Sequence, residues 1–148
     1  MSSRAPRFHS TRKRAVELLL SGPTEGRTAS IAFATRLIAG GIFVAFGAGK
    51  FLNHRSELAS FQAYGLPSPG LFVSAIGLLE LVGGMALMLG LGTRLAAVVL
   101  AGDMVGAIIV SGLARGEIVS LTLAPAQLLA MLFLVRVGGG RQALDRHP

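Results

Sequence analysis

Residues 71–91 read LFVSAIGLLELVGGMALMLGL, and this run decides the fold. At about 1.5 Å of rise per residue, a helix of this length covers the roughly 30 Å of hydrocarbon in a bilayer. A carboxylate, Glu80, lies in the middle of it. A charge at that depth costs a few kcal/mol or more to insert, so it persists only with a partner or a task.

Three further apolar runs flank this one, at about 29–51, 95–113 and 118–137. The run at 95–113 contains a second acid, Asp103. Across the 148 residues, 52% are hydrophobic and 14% charged, and the mean hydropathy is +0.65. A soluble domain carries about 25% charged residues. The pattern predicts an all-α integral membrane four-helix bundle over 29–137, with a basic tail at 1–28 and a second tail at 138–148. The first tail opens with Arg4, Arg7, Arg12, Lys13 and Arg14, but its apolar stretch, Ala15 to Leu20, is interrupted by Glu17. It is too short for a cleavable signal. A disordered tail or a short surface helix on anionic headgroups, at Lys13 to Leu20, is expected.

Two connections are short: Gly92-Thr93-Arg94 and Ala114-Arg115-Gly116-Glu117. Turns of that length force antiparallel neighbours. The first connection, residues 52–70, is longer. Its Ser56 to Tyr64 stretch predicts a short interfacial helix, broken by Gly65-Leu66-Pro67-Ser68-Pro69-Gly70. Small residues recur every fourth position at Gly41, Ala45 and Gly49, at Ala86 and Gly90, and at Gly102 and Gly106. Such stripes predict close helix packing.

Ten Lys and Arg side chains lie on the side of the termini, from Arg4 to Arg146, whereas only Arg55 and Arg115 lie on the other. By the positive-inside rule both termini are expected in the cytoplasm of a bacterial inner membrane. The formal net charge of +7 is then a matter of topology, and nucleic acid is not an expected partner.

Apart from Arg136 at the cytoplasmic end of the last run, Arg36, Lys50, Glu80 and Asp103 are the charged side chains set inside the apolar runs. Counting depth along each run pairs Arg36 with Asp103, about 5 Å apart in height, and leaves Lys50 about 12 Å above Glu80. Gln127 of the fourth run joins Glu80 and Asp103 in a candidate buried polar cluster. Two readings stay open for these five residues: a proton or quinone-headgroup site, and a purely structural ionic network that fixes helix register. Pro125 predicts a kink, with Thr122 one turn earlier to satisfy the freed backbone.

The chain has no cysteine, so it forms no disulfide, thiolate metal site or thiol relay. His9, His54 and His147 lie outside the runs, which leaves no expected haem or metal ligand set. Met85, Met88, Met104 and Met131 read as core or lipid-facing packing. No nucleotide, metalloprotease or hydrolase motif occurs, and no cofactor is evident.

The order of several short stretches is similar to that of the DoxX family of small four-helix membrane proteins. They are Arg36-Leu37-Ile38-Ala39-Gly40, Gly47-Ala48-Gly49-Lys50-Phe51, Phe61 to Pro69, Glu80-Leu81-Val82-Gly83-Gly84 and Leu89 to Ala97. The resemblance covers about 33–137 and places Arg36, Lys50, Glu80 and Arg94 at the family's recurring polar positions. It implies a four-span bundle in the bacterial cytoplasmic membrane. It also implies association with redox complexes, since the family takes its name from subunits of archaeal sulfur-oxidation and quinol-oxidase complexes. The expected function is a non-catalytic accessory subunit of a quinone- or thiol-linked membrane complex. The alternatives are a proton-coupled carrier using Glu80 and Asp103, and a scaffold with a structural ionic cluster.

Overall fold

The computed structural model describes residues 26–140, 143 and 144, and the expected helix at Lys13 to Leu20 lies outside them. It is all-α, with no strand among the described residues. Helix α1 spans Arg27–Leu52, α2 His54–Ala63, α3 Pro69–Leu89, α4 Thr93–Ala107 and α5 Ile118–Val137. A six-residue π-helical segment, Ile108–Leu113, extends α4. The helices α1, α3, α4 with its extension, and α5 are each long and apolar enough to cross a membrane. Their ends lie within two residues of those read from hydropathy, and α2 is the expected interfacial helix.

Local chemistry sets the ends. Pro69 occupies the first turn of α3, where a missing N–H costs nothing. Gly90 ends α3 at φ 71°, and its N–H bonds to Leu87 O while that of Leu91 reaches back to Ala86 O. This paired closure needs a left-handed residue, which glycine adopts without strain.

The four spans pack as two tight pairs, α1 with α3 and α4 with α5, joined by a looser seam. Two glycine pairs hold α1 against α3. A Cβ on Gly40 would meet Gly84 O at 2.7 Å, and one on Gly47 would meet Leu81 N at 2.7 Å and Gly77 O at 2.8 Å. The glycines are spaced by seven on both helices, which is two turns of one face. The expected stripes lie elsewhere: added Cβ atoms on Gly41, Gly49, Gly102 and Gly106 would meet nothing within 4 Å. Spacing of four is satisfied on several faces of a glycine-rich helix and does not say which face is covered.

Below the seam a dry core of Ala32, Ala39, Phe43, Leu87, Leu100, Met131 and Leu134 fills the half of the bundle nearer residues 27 and 137. The outer faces carry exposed Ile38, Leu78, Leu95 and Leu129, as lipid-facing surfaces do. Pro125 lies inside an unbroken α5. Thr122 Oγ1 donates to Ile118 O at 2.7 Å, its own i−4 carbonyl, and not to the carbonyl that Pro125 leaves without a donor.

Gly47→Ala is expected to cost about 1–3 kcal/mol by overpacking the α1–α3 contact, while Gly41→Ala and Gly49→Ala stay within about 0.5 kcal/mol of the parent. Thermal unfolding of the three variants in one detergent checks this.

Candidate functional site

The looser seam opens into a cavity of about 490 Å³ between mid-bundle and α2. Glu80, Asp103 and Gln127, each near the middle of its span, line its deep end together with Lys50 of α1. Glu57, Phe61 and Tyr64 of the crossover, with Glu117 before α5, line its mouth. All four acidic residues among those described, Glu57, Glu80, Asp103 and Glu117, border this one space.

Lys50 Nζ donates to Glu80 Oε2 at 2.7 Å, an ion pair with side chains only 11% and 6% exposed. Depth counted along the runs leaves these two far apart. The count fails because α1 is longer than the other spans and starts lower. Gly47 lies level with Glu80, so Lys50 is only one turn above it. Asp103 lies beside this pair, and its Oδ2 is buried with no hydrogen-bond partner. Gln127 Nε2 donates to Ala39 O of α1 at 3.1 Å, a buried bond across the seam.

Arg36 stands apart, which corrects the expected Arg36–Asp103 pair. The same offset in α1 puts Arg36 level with the end of α3. There its guanidinium donates to Gly139 O at 2.8 Å and to Met88 O at 3.4 Å, with the Phe33 ring 5.5 Å from its Cζ. It is 1% exposed and fastens the segment after α5 to the base of the bundle. A Cβ on Gly90 would lie 2.5 Å from that guanidinium, a second reason for glycine there. Of the five sequence candidates, the structure gathers Lys50, Glu80, Asp103 and Gln127 around the cavity and leaves Arg36 outside it.

A second polar chain is not legible in the sequence. Tyr64 OH donates to Glu117 Oε2 at 3.1 Å, and Ser120 Oγ donates to the same oxygen at 2.9 Å. Ser111 Oγ lies 2.6 Å from Ser120 Oγ and 2.8 Å from Ala107 O. Ser111 sits in the π-helical segment, whose wider turn swings it toward α5; such segments recur at functional sites. Helix α2 buries no residue and packs only on α1 and α3. The Tyr64–Glu117 bond therefore ties it across the cavity mouth to the other helix pair. Burial and the Glu117 carboxylate raise the Tyr64 phenol above its usual range. Two serines nine residues apart around a short turn are the available signal, but the unwound geometry that joins them has no sequence signature.

Residues 31–113, more than half of the chain, match the profile of the DoxX family. The chain belongs to the DoxX family. This DoxX chain is 34% identical over 127 residues to "Uncharacterized membrane protein Rv3486" of Mycobacterium tuberculosis, covering 76% of this chain and 77% of that one. It is 37% identical over 71 residues to "Putative oxidoreductase CatD" of Bacillus subtilis, covering 48% of this chain and 52% of that one. No solved structure matches it. It is thus a multi-pass protein of a bacterial membrane family, with a lipid bilayer as its surroundings.

Two outcomes follow from the geometry. Tyr64 is the single tyrosine and tryptophan is absent, so ultraviolet titration reads it alone. Its midpoint is expected above the usual phenol value of about 10, and Glu117→Gln should lower it. The protonated phenol makes the bond, so the stability it adds is complete below the usual value and lost as pH rises through the raised one. Separately, Lys50→Met is expected to destabilise by about 3–5 kcal/mol by stranding Glu80, while Lys50→Met with Glu80→Leu regains most of that. Melting curves of the single and double variants check the second outcome.

Proposed function

We propose that this protein is a membrane-embedded binding subunit of a redox-linked assembly, contributing a ligand site and not the chemistry itself. The observation that carries the reading is the cavity: a half-enclosed space with an ion pair and an unpartnered carboxylate oxygen at its deep end and apolar, aromatic walls. Sites of about 300–1,000 Å³ with a few convergent polar groups are typical of small-molecule binding. A lipid-soluble quinone or quinol head group is one occupant of suitable size, with Lys50 donating to a quinone carbonyl or Asp103 accepting from a quinol hydroxyl. The redox link rests on the family and on the name of the Bacillus subtilis relative. The charge asymmetry of the loops supports cytoplasmic termini, with the cavity mouth on the opposite side of the inner membrane.

One observation favours a second reading. Glu80 and Asp103 lie at mid-span, with Lys50 of the last turn of α1 reaching down to Glu80, and ionisable groups at that depth mark proton and ion pathways in carriers. Purification from the native membrane in gentle detergent, with mass spectrometry of co-purifying proteins and of the organic extract, separates the two. A defined redox partner is expected. An isolated protein that instead drives solute or proton flux in liposomes, lost in a folded Glu80→Gln variant, would replace the binding-subunit reading with the carrier.

A further inference from the structure

The chemistry of the cavity is lopsided in three independent ways. The first is charge. Its deep end holds Lys50, Glu80 and Asp103, one cation against two carboxylates. Lys50 is engaged with Glu80 at 2.7 Å, which leaves the Asp103 carboxyl with no salt-bridge partner of its own among the described residues. Glu57 and Glu117 at the mouth add the same sign along the route in. Fields of one sign in a low-dielectric cleft concentrate ligands of the other.

The second is hydrogen bonding. The wall hydroxyls are already spent: Tyr64 and Ser120 on Glu117, and Ser111 on Ala107 O or Ser120. The Gln127 amide reaches Ala39 O. The buried Asp103 Oδ2, by contrast, is an acceptor with no donor. The Asp103 side chain itself is only partly buried and borders the cavity, so its carboxyl has no protein donor competing with one that a ligand brings.

The third is the wall. Phe43, Phe46, Phe61, Tyr64 and Phe72 all face this space. Aromatic faces attract ammonium groups, and more strongly where water is excluded. A bound metal ion is a poor alternative, because no group of three His, Cys, Asp or Glu among the described residues is placed to hold one. An anion would meet three carboxylates beyond the one that Lys50 already balances.

We infer that the cavity binds an amphipathic organic monocation, an aryl-alkyl ammonium whose charged head meets Asp103 and whose apolar body lies among the phenylalanines. The inference rests on the cavity being a ligand site, as proposed above, but not on any redox partner. One positive charge brings the deep end to neutrality. The head donates to the Asp103 carboxylate where that side chain borders the cavity.

A matched series tests it: 4-phenylbutylamine, 4-phenylbutanol and 4-phenylbutyrate, which share a body and differ in the head. Binding to the full-length protein in phosphatidylcholine vesicles at neutral pH is followed by Tyr64 fluorescence, after subtraction of partitioning into protein-free vesicles. The amine is expected to bind at least tenfold tighter than the alcohol, and the carboxylate weakest. Asp103→Asn should bring the amine-to-alcohol ratio close to one, and Asp103→Glu should keep it well above one. If Asp103→Asn does not fold, the ratio in the parent protein and in Asp103→Glu decides alone. Equal binding of amine and alcohol in the parent overturns the charge assignment while leaving the cavity a ligand site. So does an unchanged ratio in a folded Asp103→Asn. Absence of binding by all three overturns both the inference and the reading of the cavity, whatever co-purifies from the native membrane.

Discussion

The contact between Lys50 and Glu80 is the constraint around which this bundle is arranged. Two charges, one at the middle of α3 and one in the last turn of α1, are taken out of water together, and neither is tolerable alone in hydrocarbon. Their 2.7 Å approach fixes the height of α1 against α3. That height is possible only because Gly40, Gly47, Gly77 and Gly84 let the two backbones touch. Once α1 and α3 are locked, α4 and α5 form the second pair, and the space left between the pairs is the cavity. Asp103 then sits within the field of the same lysine without being its direct partner.

The four spans, the interfacial helix and the charged residues inside the spans, with Gln127, are legible in the amino-acid sequence, because each depends on hydropathy, length or turn residues. Pairing is not. Depth counted from the end of each apolar run assumes that all runs start at one level. Helix α1 sits about one turn lower than that assumption allows, so Arg36 slides away from Asp103, and Lys50 drops to Glu80. The covered glycine face is equally hidden. Gly40 and Gly41 are neighbours in sequence, yet one touches a backbone and the other faces open space.

The polar chain through Tyr64, Glu117, Ser120 and Ser111 escapes a sequence reading for a different reason. It joins residues 53 positions apart through an unwound turn of helix. Hydropathy is insensitive to that turn, since a π-helical segment has the composition of any other apolar stretch. Only the buried pair of serines, 6% and 8% exposed inside a lipid-facing hairpin, marks the place.

The clasp made by Arg36 bears on the choice between a receptor and a carrier. By binding the carbonyls of Met88 and Gly139 over a layer of packed apolar side chains, it plugs one floor of the molecule. The apolar layer lies between that clasp and the chamber above. A receptor needs nothing more, whereas a conduit would have to unlatch that arginine on every cycle.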